Sequence, residues 1–117
     1  MKNTKFRAWD KKENKWVDYP IYIDGEGNIY WENYERGLQE DNDLIVMQST
    51  GLVDKHGIQI FEGDIVILRW SDEVGESHWG KVTIKNPFEY TPEEARYFIY
   101  SDEIEVIGDI YENSDLI

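Results

Sequence analysis

Apolar and polar residues alternate along this chain in short bursts, each too brief for a helix of ordinary length. In Lys5-Phe6-Arg7-Ala8-Trp9, Phe6 and Ala8 fall on one face and Lys5, Arg7 and Trp9 on the other, the period of a strand with one side buried. Polar residues 10–14 make a turn, and residues 15–19 return as the second strand of a hairpin that Pro20 stops. Ile21-Tyr22-Ile23 and Asn28-Ile29-Tyr30-Trp31 flank Asp24-Gly25-Glu26-Gly27, a second hairpin with a glycine-bearing loop. The pattern weakens over residues 32–43, which predicts an acidic loop with at most one helical turn near Asn33 to Leu38.

The densest punctuation follows. Leu44-Ile45-Val46-Met47-Gln48 resumes as a strand that Gly51 closes. Asp54-Lys55-His56-Gly57 has the composition of a type I turn followed by a left-handed glycine, and Ile58-Gln59-Ile60 is a short return strand. Glu62-Gly63-Asp64 then bends the chain into Ile65-Val66-Ile67-Leu68, four branched aliphatics that read as a strand covered on both faces. Residues 71–77 form an acidic connecting loop. From Trp79 to Lys85 the alternation returns, with Val82 and Ile84 inward and Trp79, Lys81 and Thr83 outward. Thr91-Pro92-Glu93-Glu94 is a helix start, with a threonine cap, a proline in first position and a glutamate in third. Tyr97-Phe98-Ile99-Tyr100 prefers extended structure, so a single helical turn is predicted, followed by a last strand over residues 104–107. Gly51, Gly57 and Gly63, spaced six apart, set corners between short strands. These patterns predict one mainly β domain over residues 1–117, a small barrel or roll of about seven to nine short antiparallel strands.

Composition supports a folded, strand-rich chain: 40% of its 117 residues are hydrophobic and 15% aromatic. With no cysteine, neither a disulfide framework nor a thiolate metal site is available. No run approaches the roughly 18 apolar residues of a membrane span, and no signal-peptide core opens the chain. The expectation is a soluble, cytoplasmic protein.

Charge sharpens the choice of partner. Residues 1–15 carry six basic and two acidic side chains, a net of +4, while the remainder holds 6 basic and 23 acidic groups, a net of -17. A surface this acidic repels phosphate backbones and disfavours nucleic acid. It suits a basic partner, or the basic N-terminal stretch of another copy.

Candidate chemistry is sparse. Asp24-Gly25-Glu26-Gly27-Asn28 places oxygens at alternate positions as a calcium loop does, yet Ile29 stands where that loop needs glycine, and the segment reads as a hairpin. His56 and His78 share no ligand spacing. Twenty-five carboxylates make any chosen catalytic pair uninformative, and Asp64 beside Gly63 reads as a turn residue that accepts backbone N–H bonds. No phosphate loop, nucleophile elbow or dinucleotide fingerprint occurs. Lys5, Arg7 and Trp9, with Trp79 as a weaker case beside Lys81, mark a candidate interaction surface. Basic groups interleaved with aromatics serve base stacking or protein contact, and the overall charge favours protein.

Four segments carry a family resemblance. Lys5-Phe6-Arg7-Ala8-Trp9-Asp10, Met47-Gln48 with Thr50-Gly51-Leu52 and Asp54-Lys55-His56-Gly57, Ile60-Phe61-Glu62-Gly63-Asp64-Ile65-Val66, and Val106-Ile107-Gly108-Asp109-Ile110-Tyr111-Glu112-Asn113 resemble, in order, the YopX family of small proteins encoded by phages and prophages. The resemblance implies an all-β fold with an SH3-like barrel core. It implies no catalytic, metal-binding or cofactor-binding residues, and residues 22–43 and 71–96 match no motif. The expectation is a non-enzymatic, phage-derived accessory protein without a cofactor. It would act by protein–protein contact, with itself as a homo-oligomer or with a host or phage protein. An acidic inhibitor that mimics DNA and an enzyme with an unrecognised site are the alternatives.

Overall fold

The computed structural model describes residues 5–116, which form ten strands, one α-helix and two short 3-10 turns. The fold is mainly β, built of curled antiparallel sheets with one short helix, as the alternation predicts. The chain forms two compact units, one of residues 7–46 and one of residues 47–116 with Lys5 and Phe6.

In the unit of residues 7–46, β1 (Phe6–Asp10, its first residue outside the unit) and β2 (Lys15–Trp16) pair antiparallel, with Trp9 opposite Trp16. The expected faces of β1 need correction. Phe6 is half exposed, whereas Ala8, Trp9 and Asp10 are buried in succession. Asp10 closes the strand by accepting the N–H groups of Lys12 and Glu13, and Trp9 meets the Trp16 ring edge-on at 4.9 Å. A strand end covered on both sides does not alternate. β3 (Ile21–Ile23), β4 (Ile29–Asn33) and β5 (Gly37–Glu40) form a meander. β5 replaces the helical turn expected there: Asn33 accepts the N–H groups of Glu35 and Arg36, and the chain turns back so that Trp31 faces Gln39.

In the other unit, β6 (Leu44–Val53, its first three residues outside the unit) pairs β7 (Gln59–Phe61). Gly51 does not close β6 as expected. It sits within the strand, where the register with β7 shifts between Ser49 and Val53, and the Gly51 N–H is taken by the Ser49 hydroxyl. A second sheet has the order β10-β8-β9, from β8 (Asp64–Ser71), β9 (Ser77–Thr83) and β10 (Glu103–Asp109). The central β8 is the aliphatic run, with Ile65, Val66 and Leu68 buried as predicted. Val66 and Leu68 join Ile60 and Ile84 in the core, against which Trp70, Val82, Phe98, Ile104 and Val106 pack. The helix α1 (Pro92–Ile99) begins where the sequence predicts, with Thr91 and Glu94 in a reciprocal capping box. It runs two turns rather than one because Phe98 faces the core and meets the Tyr90 ring edge-on at 5.4 Å.

One loop design occurs three times, at Asp24–Gly27, Asp54–Gly57 and Asp72–Gly75. In each, the aspartate carbonyl accepts the glycine N–H three residues on, and the aspartate N–H donates to the carbonyl four residues on. Each Oδ1 also accepts two N–H bonds, from Glu26 and Asn28, His56 and Ile58, or Val74 and Glu76, all at 2.8–3.0 Å. Each glycine has φ between 80° and 85°, the left-handed step that lets the return strand leave in register. The "calcium-like" Asp24 loop is therefore a hairpin, as its sequence indicates.

Candidate functional site

Several carboxylates of this chain accept backbone N–H bonds. Asp54 is buried: its Oδ1 caps its own hairpin, and its Oδ2 accepts the N–H of Val106 on β10 at 3.0 Å. Burial raises its pKa, but the N–H bonds from Val106, Ile58 and His56 outweigh that and hold the carboxyl below its ordinary value. Asp109 accepts from Tyr111 and Glu112, and Asp64 accepts from Phe61 at 2.8 Å, the local role its place beside Gly63 predicts. Asp24 is exposed, yet the Asn28 amide and neighbouring N–H groups bring it down to about 2.

The β8–β9 hairpin carries the exposed aromatic that the sequence singled out. Trp79 is 68% exposed, with Arg69 as its partner on β8. The register runs unbroken from Ile65↔Thr83 to Ser71↔Ser77. Just beyond its ends, the N–H of Ile84 bonds to Asp64 and that of Asp72 to Glu76. Hydrogen-bonded pairs alternate in an antiparallel ladder, so His78, Gly80 and Val82 point their backbone groups at β8. Ser77, Trp79, Lys81 and Thr83 point theirs outward, and among the described residues no strand pairs with that side of β9. All four side chains are exposed.

Two charged groups border this hairpin. On the Arg69 face, the guanidinium lies 3.2 Å from Glu105 and 3.7 Å from Glu103; Lys55 approaches the same two carboxylates, and His56 approaches Glu105. The Arg69 hydrogen bond is the main cause of the lowered Glu105 pKa. At the hairpin tip, His78 Nε2 is 2.8 Å from Asp72 Oδ2, its ring stacks on Trp70 with centroids 5.8 Å apart, and Glu76 stands close by. Asp72, Glu76 and His78 offer ligand atoms within 4.8 Å of one another, the spacing a metal ion needs. Linear spacing did not show this group, because only the hairpin register folds His78 back to Asp72. The two histidines lie in separate charge groups, one with Glu105 and one with Asp72.

The remaining candidate residues divide. Lys5 is exposed, and its carbonyl accepts the Ser49 N–H. The Arg7 guanidinium lies 4.3 Å over the Trp16 ring. Trp9 is only 4% exposed, so its expected place on a contact surface is wrong: the ring packs edge-on to Trp16. Trp79 alone of the tryptophans expected outward presents its ring to solvent.

Each unit carries a concavity with distinct chemistry. Within residues 7–46, an open cleft of ≈ 890 Å³ is lined by Asp10, Glu13, Tyr19, Trp31, Asp41 and Asp43 among others. Burial, followed by the charges of Asp10, Asp41, Asp18 and Glu13, raises the Tyr19 hydroxyl pKa there. In the other unit, an apolar groove of ≈ 220 Å³ lies between Leu52, Ile84, Pro87, Phe98 and Ile99. No helix among the described residues is long and apolar enough to cross a membrane.

Comparison with known proteins agrees with the sequence motifs. The family model described as YopX protein matches residues 5–117, across both units. The crystal structure of protein EF1440 from Enterococcus faecalis is similar, with a TM-score of 0.57 and 23% sequence identity over 97% of each chain, a likeness of fold. No curated protein matches the chain.

Proposed function

We propose that this chain, which belongs to the YopX family, works by holding another protein rather than by catalysis. The observation that carries this reading is Trp79, two-thirds exposed on the outer strand of a sheet whose outward N–H and C=O groups meet no other described strand. A tryptophan in that position offers a large apolar contact at little cost in side-chain entropy, and a strand edge offers backbone hydrogen bonds to go with it. The buried carboxylates support the reading from the other side. Asp10, Asp54 and Asp109 already accept two or three N–H bonds each, which ties them to turns.

Asp10, Asp54 and Asp109 are buried as turn caps rather than displayed to solvent, which favours contact through β9 over mimicry of a phosphate row. We read the chain as a phage or prophage accessory protein acting in the bacterial cytoplasm without a cofactor, on the strength of its family resemblance. The test compares wild type with Trp79→Ala as bait in host lysate, with circular dichroism as the control for folding. The reading expects protein contacts that the substitution removes. Contacts unchanged by Trp79→Ala, or none at all from either bait together with a strictly monomeric chain, would overturn it.

A further inference from the structure

We propose that the partner β9 accepts is β9 of a second copy, joined antiparallel about a twofold axis through Gly80. This rests on the contact reading above and narrows it. The outward-facing residues, Ser77, Trp79, Lys81 and Thr83, are placed symmetrically about Gly80. In an antiparallel twofold pair, a register centred on Gly80 sets Ser77 opposite Thr83 of the partner subunit and Trp79 opposite Lys81 of the partner subunit. All four outward N–H and C=O groups on each strand are then used, about eight hydrogen bonds in all. Shifting the centre by one residue in either direction leaves an end of the strand unpaired. The shift toward the C-terminus also sets the two Lys81 ammonium groups against each other, which is repulsive.

Three features make a second copy the fitting occupant. The first is charge. The chain is at -13 overall, so two copies repel wherever acids face each other, yet Ser77–Thr83 contains no carboxylate and carries one lysine. It is a seven-residue stretch on which this acidic molecule can meet itself. The second is complementarity: the centred register puts each Lys81 ammonium beside the exposed ring of the partner subunit's Trp79, a cation–π pair made twice by symmetry. The third is shape. At the axis, a non-hydrogen-bonded pair brings Cα atoms to about 4.5 Å, and the residue there is glycine. Its missing side chain faces the Trp70 ring, which comes within 3.6 Å of where a Cβ would stand. The sheet would become six-stranded, β10-β8-β9 continuing into its twofold mate.

The chain has no cysteine, so single thiols can read the register directly. Ser77→Cys and Thr83→Cys are made separately, both at exposed positions. The centred register predicts that neither protein alone forms a cross-linked dimer on mild oxidation, because like residues lie six positions apart, roughly 20 Å. An equimolar mixture cross-links, because opposed Cα atoms in a hydrogen-bonded pair stand about 5.5 Å apart, within disulfide reach. In parallel, sedimentation velocity over a hundredfold concentration range follows wild type and Lys81→Pro. That proline removes an N–H that β8 does not use, so the monomer keeps its circular dichroism while the dimer is lost. Cross-linking of either variant alone as readily as the mixture, a wild type that stays monomeric throughout, or a Lys81→Pro dimer as strong as wild type overturns the proposal. If wild type is monomeric but a different protein is held through Trp79, the self-pairing fails while the contact reading stands. If neither is found, both fail.

Discussion

Asp54 joins parts of the chain that are 52 residues apart: its Oδ1 closes the 54–57 hairpin and its Oδ2 holds the N–H of Val106. The sequence shows half of this. Asp54-Lys55-His56-Gly57 is turn chemistry in plain view, but nothing local indicates a second bond to β10. Trp9 illustrates the opposite limit, since alternation put it outside and the Asp10 cap with the Trp16 ring puts it inside. For Asp54→Ala we expect a loss of about 3 kcal/mol in urea unfolding, because a buried N–H of β10 loses its acceptor together with the turn. Asn, which keeps an acceptor oxygen without the charge, should cost less. A loss below about 1 kcal/mol for the alanine variant would show that Val106 finds another partner. The same carboxylate sets a pH dependence. Its folded pKa lies below the unfolded 3.8, so its stabilisation is complete above about pH 4 and disappears as pH falls through the folded value. Asp24, held at about 2 chiefly by Asn28, shifts in the same sense. Wild type should therefore lose stability between about pH 4 and pH 2, and Asp54→Ala should show a shallower acid limb in the same titration.

At the scale of elements, the glycines were legible and their surroundings were not. Gly57 and Gly63 have φ of 80° and 88°, the left-handed value that the turn composition predicts for Gly57. They differ in what a side chain would meet. At Gly57 a Cβ points into open space, whereas at Gly63 it would stand 3.3 Å from Met47 Sδ and 3.6 Å from Ile110. Gly57→Ala should cost about 1 kcal/mol from the backbone alone. Gly63→Ala should cost clearly more, because it adds crowding at a packed site. Equal losses in parallel denaturation curves would contradict the packing described around Gly63. The helix shows why local preference stops short. Thr91, Pro92 and Glu94 announce its start, but Tyr97-Phe98-Ile99 is strand-prone material that is helical because Phe98 completes the core beside Ile84. The 33–40 segment failed in the other direction: a weak pattern hid β5, which is specified by pairing with β4 rather than by its own residues.

For the whole molecule, net charge and fold point to different conclusions about the acids. The -13 balance suggests a surface built to meet something basic. The structure shows that several of those carboxylates serve turns, in a loop design used three times. The candidate contact is instead a strand without acids, found by combining one exposed tryptophan, which the sequence marked, with an open edge, which only sheet order could reveal. The central claim, that the chain works through the outer edge of β9, is tested most directly by amide hydrogen exchange read residue by residue across a concentration series. His78, Gly80 and Val82, bonded to β8, should be protected at every concentration. The amides of Ser77, Trp79, Lys81 and Thr83 should exchange freely in dilute protein and become protected as concentration rises. If those four exchange equally fast at all concentrations, with or without any protein that the chain is shown to hold, the edge is not where this protein makes its contacts.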